Sequence, residues 1–440
     1  MPFLAGAASV VINPEIGDEL AGQMHRRICG RIRDDLEANL LYLTDGREKV
    51  LLASLDLVGL EVKPGREISA AISAKTGIPA GNVILCCTHT HSGPVMQQAL
   101  ALHDSVVNER YLPGLRTALV EAAAAAVASA RPARVGWGQG TAQVGFNRRL
   151  CWADGTHSMY GDAFRPDFTG LEGPDDPRHV ALFAAGTDGQ PLAIAHNNSC
   201  HATCVEQSLF VSADFPGEAR SLIRAALGQK GLPVLYLQGA SGDTSPWNML
   251  RKPHRYDGEQ RLREVGAALA AETLRLLHET VPVAEPALRH AFEDLPVAVQ
   301  LPTAEALARA REVVALGEER AGRWEYTLAR VGVLPLWEEF KDRPEDAVAI
   351  HAVRIGQCAI ITNPAELYCQ FGIDLRRRSP AAVTMVAQLA DGSVGYCPTI
   401  PALLGGGYSG AAIRWRRLEP QAGYKLVEAS ARLVHQLWRD

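Results

Sequence analysis

Two histidines stand two residues apart in Thr88-His89-Thr90-His91-Ser92-Gly93-Pro94, directly after the apolar run "NVILC" at 82–86. In an extended segment, residues two apart face the same side, so His89 and His91 are expected to point into one space. A neutral imidazole is a common zinc ligand, and a second one nearby can bind substrate or transfer protons. The competing reading is two hydrogen-bonded, structural rings. Four more stretches bear on the choice, because each ends an apolar strand in polar or glycine-rich residues. In α/β sheets such strand ends are where ligands bind.

The stretch "AIAHNNSCHATC" at 193–204 offers His196 or His201 as a further ligand. In "LYLQGASGDTSP" at 235–246, Gly239 and Gly242 permit tight turns, and Ser245 could meet a substrate carbonyl as nucleophile or hydrogen-bond partner. Asp243 could equally serve an ordinary N-cap or Asx-turn. The GxSxG elbow is missing, so a Ser-His-Asp hydrolase is not supported. In "CAIITNPAELYC" at 358–369, Glu366 is expected to follow a strand and open a helix, where the helix dipole favours a glutamate with or without a metal. The last stretch, "DGSVGYCPTIPALLGGGYSG" at 391–410, sets Tyr396 and Tyr408 among glycines, and pattern alone gives neither a role.

The elements between these stretches predict an α/β protein: a layered mixed β-sheet core flanked by helices, with the polar groups at strand ends. Residues 39–57, 179–197 and 347–364 read as hairpins, the first two around Asp-Gly and the third around Gly-Gln. Helices are expected over 64–77, 105–131, 214–227, 257–279 and 365–378, and buried strands over 82–87 and 233–239. A mostly helical, more charged segment at 303–342 is expected to form an insertion or lid. No Pro/Ser-rich linker or solenoid repeat divides the chain, so residues 1–440 are expected to form one domain.

Composition narrows the class. A net charge of −5 over 440 residues gives no electrostatic case for nucleic acid or an anionic membrane surface. The short cluster "RRR" at 376–378 reads as a solvated helix face. No run approaches 18 uninterrupted apolar residues, so no membrane span is expected, and the N-terminus lacks the basic start of a signal peptide. Nine cysteines without regular spacing fit a reducing, cytoplasmic setting. Cys200 and Cys204 flank His201, but without a CxxC pair they read as small buried packing residues.

Taken together, the five stretches resemble the neutral (non-lysosomal) ceramidase superfamily. "THTHSGP" at 88–94 is the most specific match. His201, "GDTSP" at 242–246, "NPAEL" at 363–367 and the pair Tyr396 and Tyr408 follow in family order. "NPEIGDELAG" at 13–22 and "FNRR" at 146–149 extend the resemblance from about residue 5 to about residue 415. The resemblance implies zinc ligands at His89, His201, Glu366 and Tyr396, with His91 beside the metal. It implies carbonyl or oxyanion contacts from Arg148 and Tyr408, and a nucleophilic or substrate-orienting hydroxyl at Ser245. The implied reaction is hydrolysis of an N-acyl amide by metal-activated water.

Two departures from the family pattern are Trp247, where Asn usually follows the serine motif, and Ala202, where Pro usually follows the histidine. The family's secretion signal and C-terminal immunoglobulin-like domain are not expected either. A cytoplasmic chain with 6% aromatic residues points away from ceramide as substrate. Two alternatives remain open from sequence: a metal-assisted uronate lyase acting on polysaccharide, and a non-catalytic ligand-binding relative.

Overall fold

The computed structural model describes residues 2–96 and 105–439. Two β-sheets stack face to face, and helices cover their outer faces. The larger sheet has eight strands, beginning in chain order with Leu4–Val11, Glu37–Thr44, Lys49–Leu55 and Val83–Cys87. Its other half is Arg131–Thr141, Arg178–Gly186, Pro191–Asn198 and Val234–Gln238. It is antiparallel except at its two edges, where Lys49–Leu55 pairs parallel with Val83–Cys87 and Pro191–Asn198 with Val234–Gln238. The smaller sheet orders Leu288–Ala298, Glu345–Ile355, Cys358–Thr362 and Val383–Ala387, the last pair parallel.

Strand residues alternate between faces, so each sheet offers one apolar face to the other. Leu41, Leu43, Leu52 and Ile84 of the large sheet pack with Val353, Ile355, Ile360 and Met385 of the small one. On the outer face of the large sheet, Val62–Thr76 and Tyr111–Ala128 cover one half through Ile68, Ile72, Leu115 and Leu119. Asp214–Leu227 and Gly258–Glu279 cover the other half through Phe215, Ile223, Leu262 and Leu269. Cys369–Arg378 and Ala422–Gln436 close the outer face of the small sheet with Phe371, Leu375, Leu426 and Leu433. The predicted class, a layered mixed sheet between helices, is the one found.

The three hairpins form where the turn signals place them. The helix expected over 105–131 is shorter, Tyr111–Ala128, because the Asn108 side chain accepts from Arg110 N at 3.0 Å and holds the preceding residues in a turn. Residues 303–342 are helical in five short pieces, from Ala304–Leu316 to Leu334–Phe340. Among the described residues no helix is long and apolar enough to cross a membrane. All nine cysteines are free, and Cys200 and Cys204 are buried as expected of packing residues.

The arginine cluster is a correction. Arg377 and Arg378 are exposed, but Arg376 is buried. Cys369, Gly372 and Arg376 fall on one helix face, three and four residues apart, and that face meets the core. The Arg376 guanidinium pairs with the buried Asp176 carboxylate and donates to Asn197 Oδ1 at 3.0 Å. Breaking one side of such a buried pair costs about 3–5 kcal/mol. Arg376→Ala should therefore lower the urea unfolding midpoint strongly, while Arg377→Ala leaves it nearly unchanged.

Candidate metal centre and active site

The polar stretches meet at the carboxyl ends of the parallel strand pairs. Val83–Cys87 leads to His89 and His91, Pro191–Asn198 to His201, and Val234–Gln238 to Gly242 and Asp243. In the smaller sheet Cys358–Thr362 leads to Glu366, and Val383–Ala387 leads towards Tyr396. The two sheets are locked at this end. Asn197 Nδ2 donates to Leu237 O of its own sheet at 2.6 Å and across the interface to Val386 O at 3.0 Å.

His89 and His91 do share one space, their ring centroids 4.8 Å apart, but not through strand alternation. The strand ends at Cys87, and His89 has φ 66, a left-handed conformation that costs a non-glycine residue on the order of 1–3 kcal/mol. His89 N donates to Leu57 O at 2.9 Å, which holds the turn. His91 packs on Gly22 so closely that a Cβ there would lie 2.6 Å from its ring, and Gly22 itself has φ +92.

The three imidazoles are oriented alike. Nδ1 of His89 lies 2.6 Å from Val58 O, Nδ1 of His91 lies 2.9 Å from Gly22 O, and Nδ1 of His201 lies 3.1 Å from Ser241 O. A carbonyl only accepts, so each Nδ1 carries the proton and each Nε2 presents a lone pair. These lone pairs converge: Nε2 of His89 is 2.9 Å from that of His201 and 3.3 Å from that of His91. Three acceptors this close repel, and the donor near them, Arg148 Nη2, reaches only His201 Nε2, at 3.5 Å. Burial first, and then neighbouring charges, hold His91 and His201 well below the usual histidine pKa, so protonation is a poor remedy. A metal cation fits the arrangement, and the three nitrogens are spaced to hold one.

Glu366 completes this face. Its Oε2 lies 3.4 Å from His89 Nε2 and 3.9 Å from His201 Nε2, and it is a buried oxygen without a hydrogen-bond donor. The expected helix start at Glu366 is corrected: the residue lies in the short strand Ala365–Leu367, opposite Tyr396 in the parallel strand Gly395–Cys397. Asn363 Oδ1 and Gln388 Oε1 accept from Ala365 N and Leu367 N, each at 3.0 Å, and keep the segment extended. The helix begins only at Cys369, whose N donates to Asp243 Oδ1 at 2.7 Å. Burial raises the Asp243 pKa to about 7, although this backbone bond opposes the shift.

Arg148 is buried beside His201. Its Nη2 donates to Gly242 O at 2.9 Å and to Tyr396 Oη at 3.3 Å, and lies 3.3 Å from His201 Nδ1. Burial works against its charge, but Tyr160, Tyr396 and Glu366 more than compensate, so the pKa is raised above its usual value. Burial and then Glu366 hold the Tyr396 phenol well above its ordinary pKa, and Tyr408 is raised for the same reasons. Ionising Tyr396 therefore requires the compensating charge of a cation. Tyr408 stands 5.6 Å from Tyr396, centroid to centroid. The adjacent Arg149 anchors the loop that carries Tyr408, donating to Gly406 O at 2.9 Å and Ser409 Oγ at 3.2 Å.

Seven of the eight sequence-predicted site residues thus meet: His89, His91, His201, Glu366, Arg148, Tyr396 and Tyr408. Ser245 is held beside Phe146, near Arg148 in the chain pairing, but its hydroxyl is turned to other partners. It is buried, and its hydroxyl accepts from Trp247 N at 3.2 Å and donates to Trp247 O at 3.3 Å. His196, the other candidate ligand in its stretch, is buried beside His179 and Tyr236 and does not join the cluster. Tyr160 and Glu206 were not singled out from sequence. Tyr160 Oη accepts from Arg148 Nη1 at 2.9 Å, and Glu206 Oε2 lies 3.9 Å from His91 Nδ1.

A cleft of about 380 Å³ opens on the cluster, with His89, His91, Glu366, Tyr396 and Tyr408 in its wall. The rest of the wall is mostly charged or aromatic, including Glu61, Lys63, Glu339, Asp346, Arg414, Arg417, Phe340 and Trp415. Among the described residues its only aliphatic side chains are Val58 and Val62.

Comparison of the structure with solved ones decides the fold. The neutral ceramidase from Pseudomonas aeruginosa superposes with a TM-score of 0.74 at 19% identity, over 100% of this chain and 75% of that one. The fold is that of a neutral ceramidase. A ceramidase complexed with C2 gives the same TM-score at 18% identity, with the same coverage of both chains. No family model matches the sequence, and no curated protein matches it. The ceramidase-like fold thus agrees with the resemblance carried by the strand-end motifs.

Proposed function

We propose that the protein is a zinc-dependent hydrolase that cleaves an N-acyl amide with metal-activated water. The observation that carries this reading is the convergence of three Nε2 lone pairs on one point beside the Glu366 carboxylate. Imidazole and carboxylate donors suit zinc, with His89, His201, Glu366 and Tyr396 as its ligands and His91 alongside. When bound, the cation would supply Lewis acidity for activating water near neutral pH.

The chain's own groups supply the rest. Arg148, cationic and buried beside His201, would stabilise negative charge on a substrate carbonyl oxygen, and Tyr408 would donate from the cleft wall. His91, whose Nε2 lone pair faces the cluster, would take the proton that the attacking water loses and pass it on to the leaving amine without keeping it. Ser245 takes a secondary, substrate-orienting part, because its hydroxyl is engaged with the Trp247 backbone. The scarcity of aliphatic wall favours a polar substrate over ceramide, since a long alkyl chain gains about 0.8 kcal/mol per CH₂ only where it is buried. The nine free cysteines support a cytoplasmic setting.

The cations Lys63, Arg414 and Arg417 in the same wall favour one second reading, a uronate lyase whose substrate carboxylate they would neutralise. Metabolite extracts and glycan pools incubated with zinc-loaded protein separate the two. Hydrolysis is expected to release a free amine and a carboxylic acid, with loss of turnover on chelation. A new ultraviolet-absorbing double bond instead would establish the lyase and contradict the amidase.

A further inference from the structure

Five described residues other than glycine have positive φ, and besides His89 one of them is Tyr160, at φ 65. A bulky aromatic residue adopts that conformation only where its surroundings enforce it, and such residues gather at functional sites. Here Tyr160 N donates to Arg148 O at 2.7 Å, and Ser158 Oγ donates to Tyr160 O at 2.9 Å. The result is that Tyr160 Oη accepts from Arg148 Nη1 at 2.9 Å. Nη2 of the same guanidinium serves Gly242 and Tyr396, and Nε is buried without a partner. The Tyr160 hydroxyl is therefore the contact that sets the guanidinium's rotation from the Nη1 side.

Tyr160 is itself clamped. The Arg255 guanidinium lies over its ring, 4.5 Å from the centroid, and Nη1 of Arg255 donates to Glu206 Oε1 at 2.7 Å. Glu206 Oε2 accepts from Gln23 Nε2 at 2.9 Å and lies 3.9 Å from His91 Nδ1. One chain of contacts thus runs from Arg148 through Tyr160, Arg255 and Glu206 to His91.

We infer that Tyr160 is a positioning residue that fixes the Arg148 guanidinium relative to the imidazole cluster. The catalytic consequence rests on the proposed role of Arg148 at the substrate oxygen; the positional one does not. A purely structural role would lie in packing, since Tyr160 also lies against Leu150, Trp152, Trp247 and Met249. Tyr160→Phe keeps the ring and removes only the hydroxyl, so it separates the two roles.

The test is a crystal structure of Tyr160→Phe beside the parent, with melting temperature, metal content and steady-state kinetics on the same preparations. The expected result is a rotated or multiply placed Arg148 guanidinium, with the three histidines, metal content and melting temperature unchanged. On an amide substrate kcat should fall about tenfold or more at nearly constant KM. An Arg148 in its parental position, with or without a lower melting temperature, would overturn the inference. If no amide is turned over, the amidase reading fails, and the Arg148 position in the variant still decides this one.

Discussion

His89→Ala is expected to yield a folded protein that no longer retains its metal and no longer turns over substrate. Apparent zinc binding free energies of about 10–16 kcal/mol, shared over four ligands, amount to roughly 3 kcal/mol each, or about 100-fold in affinity. The loss should be larger still in activity, because His89 Nε2 is central to the group, within 3.4 Å of His201, His91 and Glu366. Metal analysis after dialysis and a chelator-competition titration read this directly. The metal-free variant should melt close to metal-free parent protein, since the substitution removes one of three mutually repelling lone pairs along with the ring's packing. A variant with full metal content would remove His89 from the ligand set.

Arg148→Ala should separate holding the metal from stabilising the reaction. Arg148 reaches Tyr396 and lies beside His201, yet its own contacts are to a phenol, a carbonyl and imidazole edges. A guanidinium cannot ligate a cation, so metal content should be unchanged. Loss of one charged donor to a developing oxyanion costs about 3–4 kcal/mol, so kcat should fall about 10²–10³-fold. Metal loss together with activity loss would instead make Arg148 a prop for His201.

The sites of chemistry were legible where a side chain's identity and its strand end coincided. "THTHSGP" marked both histidines, yet the reason proved different, because His89 turns left-handed after the strand instead of continuing it. Glu366 stands out by its place after a strand, although it continues in a strand of its own and does not open the helix. The NPAEL segment stays extended through side-chain bonds from Asn363 and Gln388, and Gln388 is distant in sequence. Contributions from main-chain carbonyls, such as those of Val58, Gly22 and Ser241, leave no trace in residue identity, although they orient all three rings. Tyr160 was hidden for a similar reason, its role set by a backbone angle and by Arg148 twelve residues earlier.

In the fold, hairpins with Asp-Gly turns were clear, while Arg131–Thr141 was not recognised. That strand carries glycines at 136, 138 and 140, where the helix Gly258–Glu279 and the residue after it pack so closely that a Cβ at Gly140 would meet Glu272 at 1.6 Å. Close packing by glycine erases the apolar alternation that reveals a strand. Arg376 shows the opposite failure. Three consecutive arginines look solvated until a buried Asp176 from a distant loop supplies the partner.

The proposed chemistry requires one cation held by the converging imidazoles. Anomalous diffraction at the zinc edge, from crystals of chelator-stripped protein soaked in zinc, tests it most directly. The expected map has a single strong peak about 2.0–2.1 Å from the Nε2 atoms of His89 and His201, with a Glu366 oxygen in coordination range. A map with no peak among these three residues, or with zinc only at surface histidines, would contradict it.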